Sequence, residues 1–157
     1  MNKTPSESYT EQVQILTQNT MNGNNRLFGG HLMEWIDMVA VVVARRHSGK
    51  NVTTAAVDRL EFKGSAQANS LVVLSGKIVY AGRTSMQVCV KSYVEELDGS
   101  RLLINQAYLT LVALDENDMP CEIPALTPDT AEEQAEYEAA KHRADEYKRQ
   151  RRNITEK

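Results

Sequence analysis

The chain predicts an α+β fold in which an antiparallel sheet of about five strands wraps around one long central helix. Three observations carry this. One segment, Gly29–Ser48, has helical apolar periodicity and is apolar nearly all round over its second half. Four runs rich in β-branched residues follow it, and one short run precedes it. The breaks between the later runs are too short to hold helical crossovers, so neighbouring strands should run antiparallel.

Taken in order, Tyr9–Leu16 reads as a short strand with Val13 and Ile15 on one face, and Thr17–Asn25 as a polar loop carrying Gly23. In Gly29–Ser48, residues Leu32, Met33, Ile36, Val39, Ala40 and Val43 follow the i, i+3, i+4, i+7 pattern, and Val41 and Val42 widen the stripe. A helix of this kind is expected to be wrapped by other elements. Arg45, Arg46 and His47 fill its last turn and Gly49 follows as the residue that ends it. The strand runs are Asn51–Phe62, Leu71–Tyr80, Thr84–Val94 and Arg101–Leu114. The third alternates with Met86, Val88, Val90 and Val94 on one face; the fourth sets Ile104, Tyr108, Thr110 and Val112 in period two. Asp98-Gly99 is a turn dipeptide. Beyond Pro124 the composition becomes charged, and Pro128–Arg152 reads as a C-terminal helix capped by Thr127 with Pro128 in its first position. Its acidic residues come first and its basic residues last, the order that suits a helix dipole. The domain expectation is therefore 1–126 for the sheet and central helix, with 127–157 as a charged helical tail.

A chain of 157 residues has room for about one domain. Eighteen basic against 21 acidic side chains leave a net charge of −3, which does not favour nucleic acid as a partner. Cys89 and Cys121 do not make a disulfide framework. Met1–Thr10 has no apolar core of a secretory signal, and no run approaches the ~20 apolar residues of a membrane span. The expected setting is cytoplasmic, with no membrane contact.

The most informative stretch is Asn22–Asp37. Gly29-Gly30 opens the apolar helix, where backbone N–H groups are free to meet an anion or a developing oxyanion, although most such pairs taken alone are simple structural turns. Asp37 lies two turns further on, between Ile36 and Met38, where a carboxylate is costly unless partnered or open to a cleft. Glu34 competes with it from a neighbouring face. The histidines, His31, His47 and His142, form no metal-binding spacing, and neither cysteine sits in a zinc pattern. No serine-hydrolase elbow and no Walker loop occur. Gly82-Arg83-Thr84-Ser85 joins two strands and sets a cation beside two hydroxyls, a polar anchor or simply a turn.

These segments stand in a definite order: Asn-x-x-x-x-Leu-Phe-Gly-Gly-x-Leu-Met-x-Trp-Ile-Asp, Ala-x-Arg-His, Val-Thr-Thr-Ala-x-Val-Asp, Phe62, Gly-Arg-Thr-Ser-Met, and Thr-Leu-Val-Ala-Leu-Asp. From Asn22 to Pro124 the chain resembles the acyl-CoA thioesterases of the hotdog superfamily, in the branch of the brain-type hydrolases and their single-domain bacterial relatives. The resemblance implies a hotdog fold and hydrolysis of an acyl-CoA thioester to a free acid and CoA, with no metal and no cofactor beyond the CoA of the substrate. It implies that Asp37 is the catalytic acid, activating water or attacking directly, and that Asn22 positions water or thioester. It implies that the N–H of Gly30 stabilises the thioester oxygen and that Gly29, Arg83, Thr84 and Ser85 contact the CoA. It further implies that Asn22 and Asp37 meet from different subunits of a dimer, with a trimer of dimers as the larger assembly. The chain departs from the family at Asn25, Ser65, Asn69 and Gln87, where Gly, Pro, Gly and Glu are usual. The altered loop after Phe62 leaves a second reading, a hotdog module that binds acyl-CoA or CoA without turnover. Hydration of an acyl thioester is a third, resting only on His31. The basic end of the tail, with Arg149, Arg151 and Arg152, either meets the CoA 3′-phosphate or is a solvated helix end.

Overall fold

The computed structural model describes residues 1–155. Short strands β1 (Asn2–Lys3) and β7 (Ala125–Leu126) pair in parallel and tie the N-terminus to the segment before the tail. The main sheet has five strands, β2 (Thr10–Ile15), β3 (Asn51–Phe62), β4 (Leu71–Ala81), β5 (Ser85–Glu95) and β6 (Arg101–Leu114). Their order is β2-β4-β5-β6-β3 and every pairing is antiparallel. Helix α1 (Gly29–Ser48) crosses the inner face, and α2 (Ala131–Thr155) lies across part of the outer face.

The inner face of the sheet and one side of α1 make the core. Ile36, Val39, Ala40 and Val43 pack on Leu74, Ile78, Met86, Val88, Leu109 and Leu111, all essentially without solvent contact. Full burial of an apolar side chain of this size contributes about 1.5–3 kcal/mol. Gly76 lets the helix come this close: a Cβ on it would stand 2.6 Å from Val39 Cγ1 and 2.8 Å from Val43 Cγ2. Gly49 ends α1 in the left-handed conformation, its N–H donating to the Arg45 carbonyl.

Three sequence expectations change. The helix α1 is not wrapped all round: Met33, Met38 and Val42 are exposed, Met38 at 51%, and Met38 and Val42, one turn apart, form a stripe. The free edge of the sheet on that side is β3, so the uncovered stripe and the uncovered edge adjoin. In β6, Ile104 does not share a face with Tyr108. An irregularity between Ser92 and Tyr93 of β5 sets them opposite Asn105 and Leu103, and the extra residue, Ile104, turns into the core. Val13 and Ile15 do share a face, yet α2 does not reach it and Ile15 is 64% exposed. The tail helix begins at Ala131 rather than Pro128. Thr130, not Thr127, caps it by accepting from the Glu133 N–H at 3.1 Å, while Glu133 Oε2 accepts from the Asp129 N–H.

The tail is also not a free solvated helix. Tyr137, Ala140 and Ala144 pack on Val79, Tyr80, Cys89 and Tyr108, with the Tyr80 and Tyr137 rings 5.2 Å apart. Lys77 is held between Glu133 and Glu136 at 3.3 and 3.4 Å. Arg143 stacks 3.9 Å above the Tyr108 ring and donates from Nε to Gln87 Oε1 at 2.8 Å. Gln87 also donates to the Ala140 carbonyl, so the unusual residue at this position is an anchor for α2. Residues 156 and 157 of the expected tail lie outside the described residues.

Candidate active site

Asp37 sits on α1 at the border of the exposed stripe, half-buried. Its Oδ1 accepts a hydrogen bond from Thr54 Oγ1 on β3 at 2.6 Å. The pairing of β3 with β6 slips between Thr54 and Ala56, so Ala55 is an extra, unpaired residue. Such a bulge bends an edge strand and re-aims its side chains, here beside Asp37. Oδ2 accepts no hydrogen bond among the described residues. One oxygen is thus anchored and the other is open, the arrangement a general base or a nucleophile needs. Glu34, the competitor from sequence, is exposed and has no such anchor among the described residues.

Sequence reasoning quoted Thr54 within a motif but gave it no role. The signal that could have found it was Val-Thr-Thr-Ala itself: a threonine pair in an alternating strand puts one hydroxyl on the inner face, toward α1.

Gly29 and Gly30 form the first turn of α1. The Phe28 carbonyl takes the N–H groups of His31 and Leu32, while those of Gly29 and Gly30 donate to nothing among the described residues. Their lack of side chains serves packing as well as access. A Cβ on Gly30 would stand 2.6 Å from the Phe28 ring, and one on Gly29 would meet the Phe62 ring at 3.7 Å. Both phenylalanines are about half exposed and bracket the turn. His31 lies edge-on to Phe28 with ring centroids 5.6 Å apart, and tilted against Trp35.

Asn22 precedes this turn in a tight loop. Its N–H donates to the Arg26 carbonyl, and its Oδ1 accepts from the N–H groups of Asn24 and Arg26 at 2.9 and 3.2 Å. The side-chain carbonyl therefore holds the loop and the amide NH2 faces outward as a donor. Asn25 adopts φ 56°, the left-handed region that glycine favours and asparagine tolerates, so the departure there preserves the turn. Asn69 likewise takes φ 68° in place of the usual glycine.

Arg83, Thr84 and Ser85 form the turn between β4 and β5. The Thr84 carbonyl accepts from Ala113, the Arg83 carbonyl from Ile123, and Ser85's from Gly82. The Arg83 guanidinium reaches Glu122 at 3.9 Å, both side chains being about four-fifths exposed.

Within one chain these residues are not gathered. Phe62, against Gly29, pairs with Asn105 at one end of the sheet. Ser85 pairs with Val112, and Asn51 with Leu114, at the other. At about 3.3 Å per strand residue the two ends are roughly 30 Å apart. Asp37 and Thr54 lie between them, and no hydrogen bond joins Asn22 to Asp37 among the described residues. Among the described residues no group of three His, Cys, Asp or Glu side chains is arranged to hold a metal ion. No described helix is long and apolar enough to cross a membrane.

A helix laid in a five-stranded antiparallel sheet is the hotdog architecture, and a carboxylate at the helix's uncovered border is suited to acid–base or nucleophilic chemistry there. Residues 24–99 match the family described as the thioesterase superfamily. The acyl-CoA thioester hydrolase YkhA of Bacillus subtilis, itself described as uncharacterized, is 33% identical over 96% of this chain and 91% of its own. An acyl-CoA hydrolase from Staphylococcus aureus, solved with butyryl-CoA, CoA and CoA disulfide, superposes with a TM-score of 0.92 at 29% identity, covering 99% of this chain and 96% of that one. A hexameric acyl-CoA thioesterase superposes with a TM-score of 0.90 at 33% identity, covering 95% and 96%. The chain belongs to this family of acyl-CoA thioester hydrolases and shares its hotdog fold.

Proposed function

We propose that this protein hydrolyses acyl-CoA thioesters to a free carboxylic acid and CoA, without a metal, at sites shared between two copies of the chain. The observation that carries the reading is Asp37, anchored by Thr54 at one oxygen and open at the other, at the border of the uncovered stripe of the central helix. The Staphylococcus aureus relative, solved with butyryl-CoA, supports the substrate class.

In this reading the thioester carbonyl lies against the Gly30 N–H at the start of α1. The carbonyl oxygen gains charge as an oxygen nucleophile adds to the carbon, and the helix N-terminus offsets that charge. Asp37 Oδ2 either draws the proton from the attacking water or adds to the carbon itself. The C–S bond then breaks and the CoA thiolate takes up a proton; on the nucleophilic route water then opens the acyl-Asp37 anhydride, which frees the acid and restores the carboxylate. The outward amide of Asn22 donates to water or thioester. Gly29, Arg83, Thr84 and Ser85 contact the CoA.

A two-fold pairing through the free edge of β3 supports the shared site. It would cover the Met38–Val42 stripe and remove an open sheet edge. It would also reverse the partner's ends, bringing one copy's Gly29–Gly30 turn toward the other's Asp37 and Arg83–Ser85. We extend the reading to a trimer of dimers, to a cytoplasmic setting, and to a division into a catalytic unit, 1–126, and a helical tail, 127–157.

The test is release of free thiol from short, medium, long and aryl acyl-CoAs by the purified protein in the presence of a chelator. Thiol release that Asp37→Ala abolishes supports the reading. Tight acyl-CoA binding with no thiol release at any chain length would leave the non-catalytic module in its place. Single turnover in oxygen-18 water tests the nucleophilic role of Asp37: label in the Asp37 carboxyl reports an acyl-Asp37 anhydride opened at the Asp37 carbonyl, whereas a general base puts the label in the product acid alone.

A further inference from the structure

The outer face of the sheet carries a recess of its own. Between β5, β6 and the C-terminal half of α2 lies a cavity of about 230 Å3, lined by Thr84, Ser85, Thr110, Tyr147, Lys148 and Arg151. The bulged residue Ala55 reaches its wall, while the adjoining Thr54 holds Asp37 on the opposite face. The cavity and the carboxylate thus lie on two sides of one irregularity in β3.

The lining is one-signed. Three aliphatic hydroxyls and two cations face this space and no carboxylate does. Among the described residues neither Lys148 nor Arg151 has an ion-pair partner. By contrast Lys77, Arg83, Arg101 and Arg149 are each paired with a glutamate. The four larger recesses are mixed in sign. One, of about 590 Å3 at the end of α1, sets Arg45 and Lys50 beside Asp115 and Glu116. Another, of about 520 Å3 along α2, sets Lys141 and Arg149 beside Glu138, Asp145 and Glu146. A third, of about 500 Å3, sets Arg59 and Arg143 beside Asp58 and Glu146, and a fourth, of about 290 Å3, sets Lys91 and Arg143 beside Glu136. In a chain of net charge −3, unpaired cations held over hydroxyl donors suit a phosphate, and the Tyr147 ring offers a flat wall for a base.

We infer that Lys148 and Arg151 bind the phosphates of the substrate's nucleotide end, together with Thr84 and Ser85 across the cavity. This rests on the reading that the substrate is an acyl-CoA. It makes the tail helix part of the binding site, and it divides the tail cations: Lys148 and Arg151 contact the ligand, Arg149 is held by Glu146, and Arg152 lies outside the cavity.

The experiment compares wild type, K148Q/R151Q and, as a control outside the cavity, R152Q. Each is assayed on an acyl-CoA and on the matching acyl-pantetheine, which lacks the nucleotide. Loss of two charge-assisted contacts should raise KM for acyl-CoA about tenfold or more with little change in kcat. KM for acyl-pantetheine and the R152Q values should stay within about twofold. Equal KM for acyl-CoA in wild type and the double variant would overturn the inference while leaving the thioesterase reading intact. Failure of wild type to release thiol would overturn that reading instead; calorimetry with adenosine 3′,5′-bisphosphate then tests the cavity directly, with binding that the double variant loses supporting the cation assignment. In active protein the same bisphosphate should compete with acyl-CoA. Inhibition or activation that does not compete would mean that the cavity serves a free nucleotide, and would overturn its assignment to the substrate.

Discussion

Two single residues carry consequences that can be measured. Thr54 fixes one oxygen of Asp37, so its removal should disturb orientation more than binding. Thr54→Val is expected to lower kcat about tenfold with KM nearly unchanged, and Thr54→Ser to restore most of the rate. Asp37→Ala should cost about 10²–10⁴-fold in kcat while CoA still binds, read by calorimetry. His47 shapes stability rather than chemistry. It is fully buried at the end of α1, with Nε2 on the Pro124 carbonyl at 2.8 Å and Nδ1 unpartnered among the described residues. Burial pushes its pKa below the ordinary imidazole value, Lys3 adds to this, and the Pro124 carbonyl and Glu7 oppose it. The unfolded chain therefore takes up the proton first. Stability should be full above about pH 6.5 and fall as pH drops toward the lower folded value. Thermal melts of wild type should show this acid loss, and His47→Leu should show a smaller one.

At the scale of elements, the contact of α1 with β4 depends on a missing side chain. Gly76→Ala would drive a methyl into Val39 and Val43, and overpacking of this kind costs about 1–3 kcal/mol. Denaturant melts should show that loss, and a second change, Val39→Ala, should recover part of it. Helix α2 is held by the Arg143–Gln87–Tyr108 contacts over Cys89, whose thiol burial pushes above its ordinary range. In a Cys121→Ser background Cys89 should label slowly with a thiol reagent, and Arg143→Ala should speed the labelling without changing the far-ultraviolet spectrum. Equal rates would mean that α2 is held by its apolar face alone.

At the scale of the whole molecule, sites shared between two copies, as proposed, would leave one chain with two incomplete halves. Mixing Asp37→Ala chains with Asn22→Ala chains, each inactive alone, should recover about a quarter of wild-type activity. Half of randomly formed dimers are then mixed, and one of the two sites in each mixed dimer is intact. No recovery after complete subunit exchange would place Asn22 and Asp37 in the same subunit's site. Met38→Glu, on the exposed stripe, should lower both the sedimentation mass and the thiol release.

The sequence by itself determined the α+β class, the central helix to the residue, four strand cores, and the identity of the motifs around Gly29–Gly30, Asp37 and Arg83–Ser85. These are local matters: periodicity, turn residues and residue type are written in adjacent positions. What only the tertiary structure decided is non-local. The strand order sets β3 at the free edge, and the slip in its pairing bulges Ala55 and aims Thr54 at Asp37. The slip opposite Ser92 turns Ile104 inward, and Thr130 caps α2 in place of Thr127. The fold also carries Lys148 and Arg151 back over Thr84 and Ser85 from more than sixty positions away in the chain. A bulge or a docked helix depends on which distant backbone and side-chain groups remain to be paired once the core has closed, and no stretch of neighbouring residues contains that information.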